Sequence, residues 1–285
     1  MKKFLKAEEM FFRVLMFLST TLIGTVLFLI VFSVIKNGLP YLSWEMVSEV
    51  PSGGYYFGKE GGILNAIVGT VYLSLGSTLL AFFIGLPVAL MMNVHLVRYQ
   101  RFVNGIRLIL DLLWGIPSIV YGAFGFTLMV YLGIRASLLA GIITVTIFII
   151  PIMIRAMDEA LKTAPRGLLE AALSLGSTRS EISYRVFFKQ CIPGMVTAIL
   201  LSFGRAAGDV ASVLFTAGFT DAIPTSVNQP AATLPLAIFF QLSSPISEVR
   251  HRAYAAAVVL FGIILVISLL TRIISGKYKK NRINF

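Results

Sequence analysis

The chain has 285 residues and a formal net charge of +11, yet 57% of its residues are hydrophobic and only 13% are charged. Its apolar positions fall in long runs with no alternation at strand period, which excludes one large soluble domain or a pair of small ones. Its single cysteine, Cys191, excludes an intrachain disulfide and a cysteine-cluster metal site.

Five runs carry no charge and lie near or above the roughly 20 residues that cross a bilayer as a helix. They cover residues 14–35, 61–94, 112–134, 136–154 and 253–271. The first has an apolar core of 22 residues, longer than a signal-peptide core, and no clear Ala-x-Ala site follows it, so it reads as a retained span. An external loop at about 36–62 holds Pro40, Pro51, Ser52-Gly53-Gly54 and Gly61-Gly62, a composition of turns. The second run is too long for one span, so part of it is expected in the interface. Gly85, Pro87, Gly115, Pro117, Gly122, Gly125 and Pro151 punctuate the second to fourth runs; such residues permit close helix approach and bends.

A cytoplasmic loop at 156–190 follows the fourth run. Pro165 suits the first turn of a helix, and Leu168, Ala172 and Leu175 recur at i, i+4 and i+7, with Leu169 widening the stripe. Gly176 stands where a left-handed C-terminal cap belongs. Thr178-Arg179-Ser180-Glu181 then fits a capping box that starts a new helix. The predicted object is a helix, a glycine elbow and a second helix. Its apolar face needs a cover, either the base of the bundle or the groove of a partner.

A sixth run, from 191 to about 220, is interrupted by Arg205 and Asp209 and counts as a span. A central membrane charge costs about 2.5–3.5 kcal/mol on insertion scales, so Arg205 is expected to face a bundle interior or an aqueous path. Asp209, four residues on, would share its helix face. The two make either a buried structural ion pair or a cationic station for an anion, for which a guanidinium fork is well shaped. The 216–252 loop carries an apolar segment at 234–242 among Pro230, Pro235 and Pro245. It is too short to span and is either a membrane-surface helix or part of a pathway.

Six spans put both termini on one side. The N-terminus, the 95–111 loop, the 156–190 loop and the C-terminus together hold 17 Lys and Arg, against five in the other loops: Lys36, Lys59, Arg135, Arg250 and Arg252. Both termini are therefore assigned to the cytoplasm, and Lys277, Lys279, Lys280 and Arg282 read as a positive-inside anchor. The net charge reflects this asymmetry and attraction to anionic lipid, with no nucleic-acid partner implied. His95 and His251 fall on opposite sides and cannot share a metal.

Glu170-Ala171-Ala172, then Gly176, then Val186 resembles the EAA loop of ABC-importer membrane subunits, although Phe188 and Lys189 stand where the signature continues with Leu-Pro. Pro193-Gly194 matches a second pair of one subgroup. Gly61-Gly62-Ile63 with Ile67-Val68-Gly69-Thr70, Gly115 to Gly122, Pro151 to Arg155, Glu159-Ala160-Leu161 and Arg205-Ala206-x-Gly208 are similar to the permease of phosphate-specific ABC importers of the PstA type. The resemblance covers roughly residues 60–285. It implies an all-α, six-helix type I importer permease in the cell membrane, with residues 1–60 as a first helix and loop, 61–275 as the permease core and 276–285 as a basic tail.

The resemblance implies a non-catalytic subunit of an inorganic phosphate importer. Glu170, Ala171, Ala172 and Gly176 would couple it to an ATPase, and Arg205, Asp209, Arg155 and Glu159 would line the substrate pathway. Similar permeases have Glu at the position of Asp209 and Arg at that of Arg155. No Gly-x-x-x-x-Gly-Lys-Ser/Thr loop occurs, so ATP and magnesium belong on a separate chain. Similar systems use two ATP-binding subunits, a second related permease and an extracytoplasmic phosphate-binding protein. An ABC permease for molybdate, sulfate or a polyamine, or an autonomous secondary transporter, is the alternative.

Overall fold

A computed structural model describes residues 2–52, 60–165 and 167–279. Gly53, Gly54, Lys59, Arg166, Lys280 and Arg282 lie outside the described residues. Helix α1 (Lys2–Gly38) leads through a 3₁₀ turn (Leu39–Tyr41) and the short α2 (Trp44–Ser48) into a two-residue antiparallel ladder, β1 (Pro51–Ser52) with β2 (Glu60–Gly61). Helix α3 (Leu64–Leu90) runs on through a π-helical turn (Met91–His95), followed by α4 (Gln100–Trp114), α5 (Ser118–Leu132) and α6 (Leu138–Lys162). Next come α7 (Gly167–Ser174), α8 (Arg179–Glu181), a π-helical stretch (Ile182–Phe187) and α9 (Phe188–Gln190). The chain ends with α10 (Ile192–Gly208), α11 (Leu234–Leu242) and α12 (Ser247–Lys279).

Among the described residues, four helices are long and apolar enough to cross a membrane singly, and two bent pairs bring the number to six if each pair is one span. One pair is α4 with α5, turned by 92°; the other is the 179–190 segment with α10, turned by 77°. The 112–134 run is therefore not a straight span. Pro117 lacks an N–H and restricts Ile116, so the helix stops at Trp114 and restarts in a new direction. The 61–94 run forms one continuous 32-residue helix from Leu64 to His95. At 1.5 Å per residue that is about 48 Å, so the helix tilts or projects beyond a roughly 30 Å hydrocarbon layer.

The core lies where α3, α6 and α10 meet, around Leu73, Ile149, Met153, Met157, Leu161 and Met195, each 2% exposed or less. By contrast α1 packs on α12, and its most apolar window is not buried at all. Such a surface suits contact with lipid tails or with another protein's helices. Val94, Arg107, Asp158 and Arg179 come together at one end of the bundle, while Gly61 and Arg252, Asn65 and Thr220, and Leu139 and Val227 meet at the other. The first group belongs to the Lys/Arg-rich loops and marks the cytoplasmic end.

Beyond α10 the chain departs most from expectation. Helix α10 stops at Gly208, and residues 209–233 thread irregularly through the bundle. Their backbone is satisfied from distant elements. Ser137 N–H donates to Thr216 O (3.0 Å), Leu138 N–H to Gln229 O (2.8 Å) and Leu139 N–H to Val227 O (2.7 Å). Asn65 Nδ2 donates to Thr220 O (2.6 Å) and Leu234 N–H to Thr70 Oγ1 (2.7 Å). Irregular backbone at membrane depth survives when protein surrounds it in this way. Gly122 on α5 lets the segment through, because a Cβ there would strike the backbone of Ala211 and Ser212. Helix α11 buries one face, with Leu234, Leu236 and Ala237 at most 1% exposed and packed with α12, and leaves Phe239 and Leu242 exposed.

Candidate functional site: a glycine elbow, an arginine on an aromatic face and a charge hub

The elbow forms as its local chemistry dictates. Gly176 adopts φ +80°, the left-handed conformation that a Cβ disfavours. Ser177 N–H donates to Ala172 O (3.1 Å) and Gly176 N–H to Leu173 O (3.0 Å), the paired bonds of a Schellman cap. Thr178 and Glu181 complete the capping box in both directions. The Thr178 N–H and hydroxyl, both donated to the Glu181 carboxylate, hold its carboxyl below the usual range. The base of the bundle covers only part of the apolar stripe. Ala172 is buried and Leu169 packs against the bundle core, whereas Leu173 is exposed and Leu175 is 86% exposed. Glu170 and Ala171 also face outward. The turn after this loop survives without the Leu-Pro of the signature. The wide π-helical stretch and Cys191, outside helical geometry at φ −100° and ψ 8°, make the bend, and Pro193 enters the first turn of α10.

Arg205 and Asp209 do not pair. Since α10 ends at Gly208, Asp209 leaves with ψ 131° and shares no helix face with Arg205. Its Oδ2 accepts the Ser212 N–H at 2.8 Å, so the carboxylate, only 7% exposed, initiates the next turn. The Arg205 guanidinium lies 4.9 Å from the centroid of the Phe148 ring on α6, and that ring tilts against Tyr121 of α5 at 5.4 Å. Arg205 is an exposed cation held by an aromatic face, with no carboxylate among the described residues in salt-bridge contact.

Arg155 and Glu159 belong to a different place. Arg155 lies within α6, which continues to Lys162. Seven residues separate Phe148 from Arg155, about 10 Å along the helix. There Asp158, whose side chain is wholly buried, collects donors from three elements. Arg107 of α4 reaches it through Nε (2.9 Å) and Nη2 (3.0 Å), Asn93 of the π turn through Nδ2 (2.8 Å), and Arg155 through Nη1 (2.9 Å). Lys162 adds a contact at 3.1 Å. Arg155 also binds Asp111 (2.6 Å) and Glu159 (2.9 Å), and Lys162 binds Glu159 (2.8 Å). Three cations meet three carboxylates. Arg107, Asp111, Asn93 and Asp158 were not among the sequence candidates; the available signal was the pair Arg107 and Asp111, one turn apart beside the 112–134 run.

Comparison with known proteins places this architecture. Residues 81–280 match the family described as "Binding-protein-dependent transport system inner membrane component". The "Phosphate transport system permease protein PstA" of Pasteurella multocida is 32% identical over 247 residues, 86% of this chain and 86% of that protein. Its Yersinia pestis namesake is 33% identical, over 88% of this chain and 84% of the relative. The "Probable phosphate transport system permease protein PstA" of Methanocaldococcus jannaschii is 31% identical, over 85% and 84%. An inward-facing structure of the MetNI methionine ABC transporter superposes with a TM-score of 0.64, covering 76% of this chain and 95% of that one at 21% identity, which speaks for the fold alone. The chain is thus a multi-pass inner-membrane protein that belongs to the binding-protein-dependent transport system inner membrane components, alongside the PstA permeases.

Proposed function

We propose that this chain is the membrane-spanning, non-catalytic permease subunit of an ATP-driven inorganic phosphate importer. The observation that carries the substrate is full-length similarity to phosphate permeases, at 31–33% identity over 85–88% of the chain in three of them. Arg205 supports it, because an unpaired guanidinium suits a phosphate oxyanion. In this reading Arg205 and Asp209 form a station along the path. Arg155 and Glu159 stand nearer the cytoplasmic exit, where a passing anion must compete with Asp111 and Glu159 for the Arg155 donors. Two ATP-binding subunits, carrying ATP and magnesium, dock on Glu170, Ala171, Ala172 and the Gly176 elbow. A second related permease completes the path, and an extracytoplasmic phosphate-binding protein delivers the cargo. Residues 1–60 form an added helix and loop, 61–275 the permease core and 276–285 the basic tail.

The test is uptake by cells that lack their own phosphate importer and express this chain with its ATPase, sister permease and binding protein. Phosphate, and not sulfate or molybdate, is expected to accumulate. Gly176→Pro removes the N–H bonded to Leu173 O and demands φ near −65° where the structure has +80°. Glu170→Arg reverses an exposed charge on the docking face. Both variants are expected to lose the ATPase on purification and to reduce uptake at least about tenfold, the weight of roughly 1.4 kcal/mol of coupling. Retained ATPase and wild-type uptake in both would refute the docking assignment.

A further inference from the structure

The coupling elbow is fastened to one particular span, and that span holds the far end of the pathway. Arg179, the first residue after the Thr178 cap, extends its Nη1 to Val94 O (2.8 Å) and His95 O (3.1 Å). These are the last carbonyls of the π turn that ends α3, groups left without intrahelical partners and bearing the negative end of the helix dipole. Asn93 of the same turn is bound to Asp158, so this terminus is held by α6 as well. At its opposite end α3 supplies Thr70 Oγ1 to Leu234 N–H and Asn65 Nδ2 to Thr220 O. Those two bonds anchor the irregular segment that begins at Asp209 and follows directly on Arg205. Between the anchors α3 is unbroken helix, packed along α6.

We propose that Arg179 is a positioning residue that makes α3 the rod linking the ATPase-facing elbow to the re-entrant segment beside the substrate station. A displacement of the α7–α8 elbow is delivered to the Val94 and His95 carbonyls, and α3 carries it to Thr70 and Asn65. This rests on the phosphate-importer reading given above.

The experiment uses the whole transporter in lipid nanodiscs and measures ATP hydrolysis with and without phosphate-loaded binding protein. The wild-type assembly is expected to respond to that protein; no response would refute the importer reading and the proposal with it. With a responding wild type, Arg179→Gln is expected to assemble and to keep basal hydrolysis within about twofold while stimulation falls about fivefold or more, the lower range of allosteric coupling. Arg179→Lys, which still donates to a carbonyl, is expected to restore most of it. Thr70→Val breaks the far anchor, so its loss and that of Arg179→Gln are expected to overlap in the double variant rather than multiply. Wild-type stimulation in Arg179→Gln, multiplicative losses, or failure of both Arg179 variants to assemble would each overturn the proposal and leave the importer reading standing.

Discussion

Arg205→Ala is expected to cut phosphate transport about 10- to 100-fold while the transporter still assembles. The loss follows from removing a charged hydrogen-bond donor, worth about 1.5–3 kcal/mol. The survival of the fold follows from what Arg205 does not do. Among the described residues it is in ion-pair contact with neither Asp209 nor another carboxylate, so alanine strands no buried charge there. What is lost structurally is the stack on Phe148, about 0.5–1 kcal/mol at an exposed position. Arg205→Lys keeps the charge without the planar fork and is expected to fall between the two. Phosphate uptake and the yield of purified complex, measured together, check this. Normal uptake by the alanine variant removes Arg205 from the pathway; loss of assembly makes it structural.

Asp158→Ala is expected to act the other way, on stability before transport. Its carboxylate is fully buried and neutralises cations from two helices. Arg155 would retain Asp111 and Glu159, and Lys162 would retain Glu159. Among the described residues Arg107 would keep only Asn104 at 3.2 Å while 18% exposed. Breaking such a pair from one side costs about 3–5 kcal/mol. Asp158→Asn leaves an acceptor for Asn93 and one Arg107 donor and is expected to lose less. Thermal unfolding of the detergent-solubilised protein reads the order, with alanine lowest, asparagine intermediate and wild type highest. A wild-type melting temperature for Asp158→Ala would mean that water already replaces the carboxylate.

The legible parts of this protein are those settled within a few residues. Apolar run length is a local property, and it locates α1, α3, α6 and α12. The caps are local too: Gly176 closes α7 and Thr178–Glu181 opens α8 through contacts spanning at most five residues. Hydropathy, however, counts apolar atoms and carries no direction. The 92° turn at 115–117 is therefore hidden inside a continuous apolar run, although Pro117 marks the spot. Long-range bonding is hidden altogether. Asp158 finds Arg107 at a separation of 51 residues and Asn93 at 65, and Thr70 finds Leu234 at 164. Nothing near Asp209 in sequence says that its carboxylate will start a turn and leave Arg205 alone. In the string from Gly115 to Gly122, one of the segments that carry the phosphate-permease resemblance, Pro117 sits at the bend and Gly122 makes room for the threaded chain.

The central claim is that this chain passes phosphate only when a partner hydrolyses ATP. The direct measurement is radiolabelled phosphate uptake into proteoliposomes holding the chain, its sister permease and its ATPase, with loaded binding protein on one side and nucleotide on the other. Uptake is expected with ATP and magnesium, and is expected to vanish with a non-hydrolysable analogue or without the ATPase subunit. Uptake that continues without ATP hydrolysis would contradict the account and make the chain an autonomous transporter.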